Sequence, residues 1–166
     1  QGRRKDAVIL IVGDHGEAFG EHDRVQHDNV LYQEALHVPL ILDGPEVSSA
    51  RADKLVSQLD ILPTLVHHAG FAFGKGSYPG ERLDVVKEDE KPRRMFAFCW
   101  YKNRCGAVID WPRKYIYNFD ASPPELYDLS EDPEEKNNLY EANEAEGKQK
   151  HEALMKWVEE ESAPYR

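Results

Sequence analysis

Ala7-Val8-Ile9-Leu10-Ile11-Val12-Gly13-Asp14-His15-Gly16-Glu17 opens on six apolar residues, most of them β-branched, and closes on a carboxylate and an imidazole between two glycines. A continuous apolar run of this length ending at glycine is the pattern of a strand buried on both faces of a parallel sheet, so a central strand is expected here. In open parallel sheets ligands bind beyond the carboxyl ends of the strands, which places Asp14 and His15 where chemistry is expected. Gly13 and Gly16 allow the backbone to turn so that both neighbours can reach one cation. A carboxylate with an imidazole suits calcium, magnesium, manganese or zinc, and two ligands do not choose among them. The dipeptide alone fits equally an aspartate capping a helix beside an incidental histidine.

Outward from this stretch, Val38-Pro39-Leu40-Ile41-Leu42 reads as a second short strand, with its proline near the start where a ladder donor is most dispensable. Ser57-Gln58-Leu59-Asp60 before Ile61-Leu62-Pro63-Thr64-Leu65-Val66 reads as a helix capped near Ser57 or Asp60, with Pro63 in its first turn and Gly70 beyond its end. Strand, helix, strand and helix indicate an α/β layer over residues 1–80. Glycine and charge dominate the stretch from Gly74 to Arg94, which reads as a connection, with residues 81–94 as the linker. Four short strands follow, Met95 to Tyr101, Cys105 to Asp110, Lys114 to Phe119 and Glu125 to Leu129, separated by turns such as Trp111-Pro112-Arg113 and Ser122-Pro123-Pro124. They suggest an antiparallel meander. Leu154, Trp157 and Val158 at helical spacing mark a terminal amphipathic helix that would cover one face of it, completing a subdomain over residues 95–166.

The chain of 166 residues is 40% hydrophobic, enough for one core with a small satellite. Its net charge of -10, from 21 basic and 31 acidic side chains, would repel a nucleic-acid backbone, so no nucleic-acid partner is expected. The longest apolar run falls far short of the roughly 20 residues of a membrane span, so no membrane segment is expected in it. The chain enters a strand within a few residues of Gln1 and lacks an initiating methionine, so it is expected to be a fragment. Exposure of the flank of its central strand would then favour self-association. Cys99 and Cys105 face each other if Lys102-Asn103-Arg104 forms a hairpin tip; a disulfide and two unpaired cysteines are both compatible with that spacing, which leaves the compartment open.

Three ordered motifs carry a family resemblance. Asp14-His15-Gly16-Glu17 runs on through Gly20-Glu21-His22 to Tyr32, Glu34-Ala35 and His37-Val38-Pro39-Leu40-Ile41; Gln58 to Leu65 follows with Ala69-Gly70; and Glu125-Leu126-Tyr127-Asp128-Leu129 precedes Asp132-Pro133-Glu134-Glu135 and Asn138-Leu139. Together they resemble the C-terminal part of the sulfatase family of the alkaline phosphatase superfamily. The fold implied is the C-terminal part of that α/β fold, followed by a small antiparallel sheet packed with a C-terminal helix.

The resemblance makes Asp14 and His15 metal ligands, with calcium the first candidate. It places His27 where many sulfatases have a lysine that binds the sulfate group. A histidine there can still donate to an anionic oxygen, and it can pass a proton to a leaving oxygen. A surface histidine in a loop is the plainer alternative for His27. His22 and Arg24 are candidates for the pocket rim, whereas His37 suits packing and His67-His68 suits a helix end. The family's nucleophile is a cysteine or serine in a Cys/Ser-x-Pro-x-Arg motif, the cysteine being matured to formylglycine in most sulfatases; neither Cys99 nor Cys105 stands in such a motif, and the early aspartates of the metal site are expected on the missing N-terminal part. The implied activity is hydrolysis of a sulfate ester, an aryl sulfate or a sulfated carbohydrate, by the full-length protein, with this fragment inactive alone. A phosphodiesterase, phosphonate hydrolase or phosphoglycerol transferase of the same superfamily is the nearest rival, and a non-catalytic association module is the rival of another class.

Overall fold

A computed structural model describes residues 6–25, 27, 30–49, 51, 54–74, 78–85, 93–99, 105–119 and 122–162. Two compact units emerge, one from Gln1–Gly13 with Pro39–Pro92, the other from Asp14–Val38 with Arg93–Arg166.

In the first unit β1 (Ile9–Val12) pairs antiparallel with β2 (Leu40–Asp43), in a register that sets Ile11 opposite Ile41. The expected central strand of a parallel sheet is corrected here. β2 is the only partner of β1 among the described residues, and alternate residues of β1 point outward, leaving Ile9 40% and Ile11 57% exposed. An apolar run reports burial potential, and a strand with one neighbour does not use all of it. Helix α2 (Ile61–His68) continues a 3-10 turn at Gln58–Asp60, as Ser57, Pro63 and Gly70 imply. The Ser57 hydroxyl accepts the Leu59 N–H at 3.2 Å, and the Asp60 carboxylate accepts the Ser57 N–H at 2.9 Å, a reciprocal cap. Gly70, at φ 82, supplies the left-handed residue after the helix end. Asp60 and Thr64, both fully buried, then receive the N–H groups of Glu81 and Leu83, which ties that segment to α2.

In the second unit β3 (Arg94–Phe98), β4 (Cys105–Asp110), β5 (Arg113–Asn118) and β6 (Glu125–Asp128) form the expected meander, in sequential order and antiparallel throughout. The register sets Val108 opposite Tyr115 and Tyr115 opposite Leu126, so these three share a face. That face is covered by α3 (Glu144–Ser162), a longer helix than its apolar spacing marked, through the fully buried Leu154. Trp157 stacks on Phe96 with ring centroids 4.8 Å apart. Lys114, Ile116, Glu125 and Tyr127 share the opposite face by the same register. There the segment from Asp14 to Val38, which includes α1 (Gln33–Leu36), makes its contacts. Both faces are thereby covered, which explains why β4 is buried from Cys105 to Ile109.

Cys99 and Cys105 are joined in a disulfide with Cα atoms 5.1 Å apart, which settles the pairing; the proposed hairpin tip at Lys102-Asn103-Arg104 lies outside the described residues. No helix among the described residues is long and apolar enough to cross a membrane.

Candidate active site

Asp14 and His15 follow β1 directly in the chain and belong to the second unit. The Asp14 side chain is 91% exposed, with Oδ1 accepting the His15 N–H at 3.0 Å. That hydrogen bond, a second from its own backbone and the neighbouring His15 hold its carboxyl below the usual carboxylate value. The His15 ring lies with Nδ1 2.8 Å from the Gly16 carbonyl oxygen. A carbonyl can only accept, so Nδ1 carries a proton and Nε2 is the ring nitrogen that faces outward toward Asp14. This Nε2 stands 3.7 Å from Asp14 Oδ2.

Two donors at that separation can share one cation at bond lengths of roughly 2.0–2.6 Å, with the outer imidazole nitrogen anchored on a backbone carbonyl as metal-bound histidines usually are. The donor set therefore fits a divalent ion, of which it would supply two ligands. No cluster of three or more such groups occurs among the described residues.

His27 joins this pair. Its ring stacks on His15 with centroids 3.8 Å apart and planes 20° from parallel. Its Nδ1 lies 3.1 Å from Glu17 Oε2, so a carboxylate orients the ring. Glu17 carries no role that the sequence announces: it and His27 lie ten positions apart, and neither belongs to a helix or strand whose period could link them. The other Glu17 oxygen, Oε1, is buried without a hydrogen-bond partner among the described residues.

His22 and Arg24 stand apart from these three. His22 Nδ1 lies 2.7 Å from Glu34 Oε1 and its Nε2 3.0 Å from the Glu135 carbonyl oxygen, while its ring stacks on Tyr32 at 3.7 Å. Burial would lower its pKa, but the Glu135 carbonyl and the Glu34 carboxylate outweigh burial and raise it above the ordinary imidazole value. Arg24 is exposed beyond this turn and donates its backbone N–H to Glu21 at 2.9 Å.

Below this turn, Tyr32 and Tyr127 donate their hydroxyls to Glu125 Oε2 at 2.8 and 2.6 Å, and burial first, then that carboxylate, pushes both phenols well above their ordinary value. The site segment is thus fastened to the sheet through buried polar contacts. Glu135, whose carbonyl lies against His22, and Glu34, which holds His22 from within the segment, stand in the sequence only as members of motifs.

The sulfatase family profile matches residues 1–71. A Delta 4,5-hexuronate-2-O-sulfatase of Bacteroides thetaiotaomicron is 30% identical over 81% of this chain, which covers 31% of that protein. The structure of a 2-O GAG sulfatase superposes with a TM-score of 0.77 at 27% identity, over 98% of this chain and 38% of that one. A phosphonate monoester hydrolase of Agrobacterium radiobacter shares the fold, with a TM-score of 0.71 at 24% identity over 93% of this chain and 35% of its own. The chain spans about a third of the length of the curated relatives it matches, 31% and 34% of the first two. The chain belongs to the sulfatase family of the alkaline phosphatase superfamily.

Proposed function

We propose that this chain is the part of a sulfate-ester hydrolase that supplies Asp14 and His15 to a divalent metal site and His27 to the sulfate group. The reading rests chiefly on one observation: the His15 ring, with Nε2 facing the Asp14 carboxylate, is stacked on the ring of His27. Asp14 and His15 would hold the metal, calcium being the first candidate, which supplies positive charge to the transferred group and lowers the pKa of a bound nucleophile. Asp14 brings one negative charge, and its lowered carboxyl pKa keeps that charge in place. Glu17 holds the His27 ring so that the imidazole can donate to a sulfate oxygen or pass a proton to the leaving oxygen.

The nucleophile, a formylglycine, would lie on a part of the protein outside these residues. Neither Cys99 nor Cys105 stands in a Cys-x-Pro-x-Arg motif, and the two are joined in one disulfide. The chain alone would then be inactive. A sulfated carbohydrate is the proposed substrate class, in line with the names of the hexuronate-2-O-sulfatase and the 2-O GAG sulfatase.

The test is an assay of the full-length, matured protein on a 2-O-sulfated unsaturated hexuronate, an aryl sulfate and an aryl phosphodiester. Sulfate release with the phosphodiester left intact supports the reading. Preferential cleavage of the phosphodiester moves the protein to the phosphoryl-transfer branch, and no cleavage of any of the three favours a non-catalytic association module.

A further inference from the structure

Glu135 lies far from Asp14 in the chain, in the turn after β6, yet it is bonded to the segment that carries the candidate site. Its side chain is fully buried and its backbone takes a left-handed φ of 54. Oε1 lies 2.7 Å from Lys114 Nζ on β5, Oε2 accepts the N–H of Gln33 at 2.5 Å, and the backbone carbonyl accepts from His22 Nε2 at 3.0 Å.

Two routes lead from these bonds to the site. Gln33 opens α1, and within α1 the Ala35 carbonyl accepts the Gly16 N–H at 2.9 Å, one residue past His15. His22 lies between His15 and His27 in the chain, so fixing it fixes the span that brings the two rings together. Glu34 closes the arrangement by taking His22 Nδ1. The partners of His22, a carbonyl and a carboxylate, are both acceptors, so the ring donates from both nitrogens and is held as an imidazolium. His22 and Asp23 also take left-handed φ values, 49 and 56. Conformations of this kind at residues with a Cβ persist where the surroundings impose them. Here they occur at both ends of one hydrogen bond, His22 to Glu135.

We propose that Glu135 is a positioning residue for the Asp14–His27 segment, acting through Gln33, His22 and Glu34. The C-terminal sheet then serves the proposed reaction by setting where the metal ligands and His27 stand. His22, a candidate for the pocket rim, belongs to this brace. The kinetic part of this inference rests on the sulfatase reading, and the structural part does not.

The experiment uses the full-length protein with Glu135→Ala, Glu135→Gln, Glu34→Ala and Glu34→Gln, reading kcat and KM on an aryl sulfate and amide exchange across the chain. Glu135→Ala is expected to lower kcat about 100-fold, the scale of an ångström-sized misplacement, while leaving KM nearly unchanged. Exchange should rise over residues 14–27 and stay low over β4 and β5. Glu135→Gln, made together with Lys114→Met so that no buried lysine is left unpaired, keeps an acceptor for the Gln33 N–H and should recover much of the loss. If Glu135→Ala does not fold, Glu34→Ala decides the matter, because it leaves the Lys114–Glu135 pair intact, and Glu34→Gln should rescue it. Unchanged kcat and exchange in the alanine variants would overturn the proposal, as would exchange rising equally over the site segment and the sheet. A wild-type protein inactive on sulfate esters would sink the sulfatase reading, and the exchange comparison would still decide the positioning role.

Discussion

The imidazole of His27 lies nearly flat on that of His15, with ring centroids 3.8 Å apart, although a turn containing three residues of positive φ separates them in the chain. That turn, Gly20 to Asp23, returns the chain on itself. His15 is held by the Gly16 carbonyl and His27 by the Glu17 carboxylate. The chemistry proposed for the chain depends on this short segment holding its shape, and the shape depends on contacts with the C-terminal sheet.

Gly16→Ala tests the closest of the local contacts. A Cβ on Gly16 would overlap the carbonyl oxygen of Glu34, a backbone atom that cannot swing aside. The substitution should destabilise the protein by about 1–3 kcal/mol, read from urea unfolding, because the segment must move away from α1. Unchanged stability would mean that Gly16 and Glu34 do not approach as described.

Lys114 and Glu135 form a fully buried ion pair. Burial pulls the lysine below and pushes the carboxyl above their ordinary values, and their mutual attraction opposes both shifts. Removing one partner strands a buried charge. Lys114→Met alone should cost about 3–5 kcal/mol, and Lys114→Met with Glu135→Gln should recover most of that, since the pair then leaves together. Equal losses in the single and double variants would argue against a paired burial.

The pH dependence of stability should carry the signature of His22, whose pKa is raised in the folded state. A raised value means that its contribution is complete below the unfolded imidazole value of about 6.5 and is lost as the pH rises through the folded value. The difference in urea midpoint between the wild type and His22→Gln should therefore be largest in mild acid and shrink toward alkaline pH. A difference that grows with pH would contradict an imidazolium at this position.

Leu154 is fully buried among Val108, Tyr115 and Leu126, where α3 meets the sheet. Leu154→Ala should cost about 2–5 kcal/mol by opening a cavity under the helix. A loss below about 1 kcal/mol in urea unfolding would mean that the helix packs less closely than described.

Much of this architecture was legible in the sequence. The four strands of the meander fall within a residue or so of their expected starts, because turn residues such as Trp111-Pro112 and Ser122-Pro123-Pro124 punctuate short β-rich runs. Ser57, Pro63 and Gly70 marked α2 for the same kind of local reason. The burial of β1 was not legible, since an apolar run does not say how many neighbours a strand has. The burial of Lys114 was not legible either, because lysine is almost never buried unless paired, and its partner comes from the turn after another strand. At the candidate site, Asp14, His15 and His27 could be named from the motif, whereas Glu17 and Glu135 act from loops, where no helix or strand period points to a partner. The His22 bond spans 113 positions, and no local pattern announces it.

The most direct test of the central claim is metal content measured alongside sulfate release in the full-length protein, comparing the wild type with Asp14→Asn, which keeps the shape of the side chain and removes its charge. The account predicts a bound divalent ion in the wild type, its loss or marked weakening in Asp14→Asn, and a parallel loss of sulfate release. Full metal occupancy and undiminished sulfate release in Asp14→Asn would contradict it.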